Sequence, residues 1–251
     1  MVNALFDIEG RKAIVTGGTR GLGYGMAEGL MESGAEVCIV GTTDKVRDIA
    51  AAFRDKGFKC HGVKADLGVR ASVFKCFDDC LEALGDDLDI LVTAHGIQRR
   101  HSAEVFPENE WDEVINVNLH SVFFLCQKAA QVMLKKGYGK IITIASMVSW
   151  FGGQTVPAYT AAKGGVTQLT KELSNDWISR GINVNSIAPG YMATEMNAAL
   201  LDKSNPRYQQ ITERIPAHRW GTGEDMKGTV IFLSSWFSCA TNFFFSLSES
   251  A

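Results

Sequence analysis

Thr16-Gly17-Gly18-Thr19-Arg20-Gly21-Leu22-Gly23 is the stretch that decides the fold. A short apolar run, Lys12–Thr16, leads into it, and a helical pattern over Leu22–Ser33 leaves it. Strand, glycine turn and helix together open a βαβ unit. Glycines at 17, 21 and 23 allow a tight turn and a close approach of backbone N–H groups to an anion, with the positive helix end behind them. A glycine-rich turn by itself is common. Set between the first strand and the first helix, it points to the pyrophosphate of a dinucleotide.

Outward from that loop the alternation continues. Short, nearly continuous apolar runs recur at Glu36–Val40, Lys59–Lys64, Ile90–Thr93, Lys140–Ala145 and Asn183–Ile187. Strands buried on both faces read this way. Helical patterns separate them over Asp44–Lys56, Ala71–Leu84, Glu110–Lys136, Pro157–Arg180 and Glu224–Phe237. The reading is α/β with a parallel sheet. No Pro/Gly/Ser-rich linker divides the chain and no repeat occurs, so residues 1–251 read as one domain. The stretch 191–219 follows the sixth strand without strong periodicity and reads as a substrate lid.

The chain has 251 residues, 46% hydrophobic and 21% charged, with a formal charge of −3. Recognition of nucleic acid calls for a basic surface, so no nucleic-acid partner is expected. No apolar run reaches the ~18 residues of a membrane span. The first ten residues lack the layout of a signal peptide, which gives a cytoplasmic expectation. The six cysteines, Cys38, Cys60, Cys76, Cys80, Cys126 and Cys239, are scattered. Cys76 and Cys80 lie one helical turn apart, but without a matching cluster they read as reduced, buried small hydrophobes. No metal is expected.

Tyr159-Thr160-Ala161-Ala162-Lys163 places Tyr159 and Lys163 at i and i+4, on one helix face. A free phenol titrates near ~10 and is a poor base at neutral pH. A cation one turn away favours the phenolate, so the tyrosine pKa is expected to fall. Ser146, in Ile144-Ala145-Ser146-Met147, sits just past the fifth strand, where a hydroxyl holds and polarises a substrate oxygen. A dinucleotide site that selects NAD usually carries an acid at the end of the second strand. Here that place reads Val40-Gly41-Thr42-Thr43, with no acid before Asp44. Arg20, inside the glycine loop, is placed to pair with a 2′-phosphate, and Thr42 to add a hydroxyl contact. NADP is therefore favoured over NAD. The plain alternative for Arg20 is a solvated loop charge.

The spacing Gly-x-x-x-Gly-x-Gly, with Ser146, Tyr159 and Lys163 in order, resembles the short-chain dehydrogenases/reductases. The resemblance covers about residues 5–235. It implies a doubly wound, Rossmann-like sheet with helices on both faces, an oxidoreductase, and a homo-oligomer, dimer or tetramer. Trp111-Asp112-Glu113-Val114-Ile115-Asn116-Val117-Asn118-Leu119 is similar to the family's segment carrying a fourth polar residue. The match assigns it to Asn118, which in the family organises a water leading to the lysine. Asp66 and Leu67 match the place that holds the adenine, and Gly96 the backbone passage past the ribose. Pro189-Gly190-Tyr191-Met192-Ala193-Thr194 matches the turn whose threonine touches the carboxamide. The cofactor set implied is Gly17, Thr19, Arg20, Gly21, Leu22, Gly23, Thr42, Asp66, Leu67, Gly96, Tyr159, Lys163, Pro189, Gly190 and Thr194.

Two places depart from the pattern. Where the family reads Asn-Asn-Ala-Gly, this chain reads Thr93-Ala94-His95-Gly96. His95 is either a cofactor contact or a packed structural histidine, and the second is expected. After Ser235 the family runs into a last strand ending near Val-Asp-Gly-Gly. This chain instead continues Trp236-Phe237-Ser238-Cys239-Ala240-Thr241-Asn242-Phe243-Phe244-Phe245. Residues 236–251 are thus an atypical C-terminus, as a frameshift would leave, with the last strand expected to be missing or altered.

Within the family, Gly96-Ile97-Gln98-Arg99-Arg100-His101 and Arg214-Ile215-Pro216-Ala217-His218-Arg219-Trp220-Gly221 are most similar to dehydrogenases of sugar acids such as gluconate and 5-ketogluconate. A sugar acid needs a cation for its carboxylate. Arg99 and Arg100 are the candidates, with Ser146 and Tyr159 at the reacting oxygen. Reduction of a 3-oxoacyl carrier protein uses the same catalytic residues and stands as the alternative substrate class. A non-catalytic cofactor-binding regulator is the alternative of another kind.

Overall fold

The computed structural model describes residues 4–240 and 244–246. Seven strands form one sheet: β1 (Lys12–Thr16), β2 (Glu36–Gly41), β3 (Cys60–Lys64), β4 (Ile90–Thr93), β5 (Gly139–Ile144), β6 (Ile182–Ala188) and β7 (Phe244–Ser246). Their order is β3-β2-β1-β4-β5-β6-β7, and every pairing is parallel. The chain winds outward from β1 to one edge and then from β4 to the other. The reversal falls between β1 and β4, where a doubly wound sheet opens a crevice for ligands.

The helices are α1 (Gly21–Glu32), α2 (Lys45–Asp55), α3 (Arg70–Ala83), α4 (Glu108–Ile115), α5 (Ser121–Lys136), α6 (Val148–Phe151), α7 (Pro157–Trp177), α8 (Ala198–Leu201), α9 (Pro206–Arg214) and α10 (Glu224–Ser234). Strand residues alternate between two cores, as the pleat requires. Ala13, Val15, Val37 and Ile39 join Met26 and Leu30 of α1, Phe53 of α2 and Val230 of α10. Ile14, Cys38, Val40 and Leu91 join Phe77 of α3, Leu125 of α5 and Val166 of α7. At the amino edge of the strands, Asp89 accepts from Arg11 and Lys136 and from the backbone N–H of Lys12.

The structure refines four expectations. The pattern over 110–136 is helical throughout but is not a regular α-helix. A π-turn over Asn116–His120 separates α4 from α5. The residue-191 segment is largely helical, with α8, α9 and its own cluster of Ile211, Ile215 and Trp220 against Tyr191, Leu200 and Tyr208. The last helical pattern stops at Ser234, because Ser235 turns extended and its hydroxyl caps the Phe232 carbonyl at 2.7 Å. The seventh strand is present in altered form. Phe244, Phe245 and Ser246 pair with Ser186, Ile187 and Ala188 without an Asp-Gly-Gly. The rest of the atypical terminus, 241–243 and 247–251, lies outside the described residues.

Candidate active site

The carboxyl ends of the parallel strands collect nearly every residue singled out above. The Gly17 loop leaves β1, Thr42 leaves β2, Asp66 and Leu67 leave β3, and Gly96 leaves β4. Ser146 leaves β5, and Pro189 and Gly190 leave β6. Asn118 arrives from the π-turn, and Tyr159 and Lys163 from α7.

The loop suits a pyrophosphate on geometry alone. Gly17 has a φ of 66°, and a Cβ there would stand 2.8 Å from the His95 Cα. A Cβ on Gly23 would collide with the Gly17 carbonyl. Only hydrogen side chains leave this concave backbone open ahead of α1. Thr194 closes the cradle from the other side, since a Cβ on Gly21 would meet its methyl at 3.3 Å. Arg20 is exposed and ion-paired with Glu195 across the cleft. Asp44, the first acid after β2, is taken by Lys64 at 2.7 Å. Thr42 and Asp66 are exposed, and the Asp66 carboxylate accepts the Gly68 N–H at 2.9 Å. Leu67 is buried in the α3 core.

Lys163 is buried and donates from Nζ to the Ile144 carbonyl at 2.6 Å. Burial pushes its pKa down to about 8. Its Nζ lies 5.6 Å from the centre of the Tyr159 ring. Burial pushes Tyr159 upward, opposite to the expected fall. A hydrogen bond with Ser146 and the charge of Arg100 pull it back, and Lys163 is not among these causes. An ammonium already spent on a backbone carbonyl, over a ring face rather than at the hydroxyl, gives the phenolate little. Asn118 is fully buried. Its Oδ1 accepts the Ile97 N–H at 2.9 Å and its Nδ2 donates to the Ile97 carbonyl at 2.8 Å. A Cβ on Gly96 would lie 3.2 Å from that Oδ1 and 3.9 Å from the Lys163 Nζ, so the missing side chain keeps the space between them open.

The adjacent arginines part company. Arg99 is held by Glu113 at 2.8 Å. Arg100 has no carboxylate partner among the described residues and faces Tyr159, Tyr191 and Arg207. Desolvation and then the Arg207 charge lower its pKa. His95 is buried, as expected of a structural histidine. It bonds Thr16, Ser121 and the Val117 carbonyl. Burial, and then the Lys163 charge, push it down to about 3.

Sequence reasoning missed Ser149. Its hydroxyl donates to the Lys163 carbonyl at 2.9 Å and accepts the Ser146 N–H at 3.3 Å, tying the serine's turn to α7. Its signal was a second serine one turn after the first. Arg207 was missed as well, because α9 was not foreseen. Cys38, Cys60, Cys76, Cys80 and Cys126 are free and buried. Cys80 hydrogen-bonds Cys38 and Cys76, which with burial raises its pKa. Among the described residues no group of three or more His, Cys, Asp or Glu is set to hold a metal, and no helix is long and apolar enough to cross a membrane.

The family model for short chain dehydrogenases matches residues 11–205. This chain is a short-chain dehydrogenase. A 2-dehydro-3-deoxy-D-gluconate 5-dehydrogenase of Escherichia coli (strain K12) is 42% identical to it over 239 residues, 94% of this chain and 92% of that protein. A gluconate 5-dehydrogenase of Gluconobacter oxydans (strain 621H) is 38% identical over 246 residues, 95% and 93% of the two chains. A crystal structure of a gluconate 5-dehydrogenase from Burkholderia cenocepacia J2315, in complex with NADP and tartrate, superposes with a TM-score of 0.92. It is 37% identical, covering 98% of this dehydrogenase and 96% of that chain.

Proposed function

We propose that this short-chain dehydrogenase interconverts a secondary alcohol and a ketone on a sugar acid of the gluconate/5-ketogluconate type, with NADP preferred over NAD. The observation that carries the reading is Tyr159 bonded to Ser146 beside an arginine, Arg100, that has no carboxylate partner among the described residues. When bound, the nicotinamide supplies or accepts the hydride. Gly17, Thr19, Gly21, Leu22 and Gly23 hold its pyrophosphate, with Thr42, Asp66, Leu67, Gly96, Pro189, Gly190 and Thr194 around the rest. Arg20, released from Glu195, meets the 2′-phosphate, and the first acid after β2, Asp44, is neutralised by Lys64.

Ser146 holds the reacting oxygen, and Tyr159 gives its phenolic proton to that oxygen or takes one from it. Burial keeps Tyr159 protonated at rest, so it is ready as an acid in ketone reduction. Oxidation requires the phenolate, which the Ser146 hydrogen bond and the Arg100 charge favour. Lys163, with a pKa of about 8, is poised to return a proton near neutral pH, across the space that Gly96 leaves beside Asn118. Arg100 takes the substrate carboxylate, and Arg207 from α9 adds a second positive charge there. The 191–219 segment acts as the lid over this oxygen. The chain works as a cytoplasmic homo-oligomer, a dimer or tetramer, which light scattering of the purified protein tests.

The deciding experiment measures turnover of gluconate, 5-ketogluconate and an acetoacetyl thioester with NAD and with NADP. Turnover of the sugar acids is expected. Preference for the thioester, or cofactor binding with no turnover of any of them, overturns the reading.

A further inference from the structure

His95 stands where three elements meet. Its Nδ1 lies 2.6 Å from the Thr16 hydroxyl, on the last residue of β1 before the glycine loop. Its Nε2 lies 3.0 Å from the Val117 carbonyl and 2.6 Å from the Ser121 hydroxyl, at the two ends of the π-turn. A carbonyl oxygen only accepts, so Nε2 carries the proton. Nδ1 is then the acceptor, and Thr16 donates to it. Ser121 also donates to the Val117 carbonyl, at 2.6 Å. That carbonyl is thus drawn sideways by two donors, and the helix takes its wide turn at this point. π-bulges inside helices arise where a backbone group is diverted in this way.

The residue after Val117 is Asn118. Its amide grips the Ile97 backbone at both ends, two residues past His95. The exit of β4 and the π-turn are therefore stitched by reciprocal bonds: 95 to 117, and 118 to 97. Without the imidazole, the Val117 carbonyl loses its bond to the β4 exit and keeps the Ser121 hydroxyl on its own helix, and a regular α-turn would rotate residue 118 away from Ile97. Asn118 would leave the space beside Lys163.

We infer that His95 is a positioning residue, which holds the π-turn open and so sets Asn118 against Ile97 and Lys163. Its catalytic consequence rests on the function proposed above. Its structural consequence does not. The two nitrogens have unequal weight. Thr16 has a second acceptor, the Val92 carbonyl at 3.3 Å, if Nδ1 is lost. Val117 keeps the Ser121 hydroxyl at 2.6 Å, but that donor sits on the same helix, so only Nε2 ties this carbonyl to the exit of β4.

That asymmetry gives the test. In His95→Gln the amide nitrogen reaches the place of Nε2 and keeps the Val117 bond. In His95→Asn the shorter amide keeps the Thr16 side only. His95→Ala keeps neither. Loss of a buried hydrogen bond that positions a reacting group costs about tenfold or more in rate. The kcat should therefore fall by that factor in the Ala and Asn variants and stay within about threefold of wild type in the Gln variant. The cofactor Kd from fluorescence titration should be similar in Gln and Asn.

Hydrogen exchange of the cofactor-free protein supplies a readout independent of turnover. The Ile97 and Ser121 amides should lose protection in Ala and Asn, keep it in Gln, and do so while Val37, far across the sheet, is unchanged. Equal kcat and equal exchange protection in Gln and Asn overturn the inference, as does unchanged Ile97 protection in Ala. If Ala does not fold, the Gln and Asn pair decides. If wild type turns over no substrate, the functional reading fails, and the exchange result alone decides the role of His95.

Discussion

Replacing Lys163 with methionine should abolish activity and still relieve a stability cost that grows as the pH falls from 9.5 to 7. The ammonium is 3% exposed and its pKa stands at about 8 instead of 10.5. At about 1.4 kcal/mol per pH unit, that depression means the charged form costs the fold about 3 kcal/mol at pH 7. The sign follows from linkage. Below pH 8 both folded and unfolded chains hold the proton, and the whole cost is felt. Between 8 and 10.5 only the unfolded chain holds it, so wild-type stability gains as pH rises. From pH 7 to 9.5 the gain is about 2 kcal/mol from this group alone.

Methionine does not titrate, so the stability of Lys163→Met relative to wild type should fall by that amount over the same range. All other titrating groups cancel in the difference. The loss of the 2.6 Å bond to the Ile144 carbonyl adds a pH-independent penalty of about 1–3 kcal/mol, which shifts the difference without changing its slope. Urea denaturation of both proteins at several pH values reads the quantity directly. A difference that stays flat between pH 7 and 9.5 would show that the ammonium is not held at a cost, and the account of its burial would be wrong.

Tyr159→Phe should lower kcat by about 10²–10⁴ while leaving the cofactor Kd unchanged, which steady-state kinetics and fluorescence titration check together. Arg100→Gln should raise KM for the sugar acid by about tenfold or more and leave KM for a neutral ketone within about twofold. Arg99→Gln, which frees Glu113 and Glu110, should change neither by more than about threefold. Arg20→Ser should weaken NADP about tenfold in calorimetric titration and leave NAD within about twofold, because only the 2′-phosphate needs the guanidinium.

Most of the sheet was legible because β1, β2, β4, β5 and β6 are buried on both faces and declare themselves in apolar runs. Positions 12–16 and 90–93 match to the residue. The site was legible because its residues sit at strand ends and on one helix face, both of which are local properties. The failures have a common cause in contacts between distant residues. The break at 116–120 depends on residue 95 reaching the Val117 carbonyl, which no periodicity over 110–136 records. Arg99 and Arg100 look alike in sequence, and a carboxylate 14 residues onward separates them. The direction of the Tyr159 shift turned on burial, whereas sequence spacing shows only the neighbour at i+4. The α9 helix did leave a local sign, Asn205-Pro206. The Asn205 side chain accepts the Arg207 N–H at 3.0 Å and Pro206 opens the first turn. Its weak apolar stripe hid it, because the helix rests on only one buried position, Ile211.

The carboxylate of Asp89, gathered with Arg11, Lys136 and the Lys12 amide at the amino edge of the sheet, lies at the opposite ends of the strands from the chemistry. Parallel strands sort the molecule into two rims with separate duties. One rim only has to hold the layers in register, and the other has to present the substrate-facing turns. Changes that harden the first rim leave the second free to acquire new substrates, so in this dehydrogenase robustness and specificity are able to evolve on different schedules.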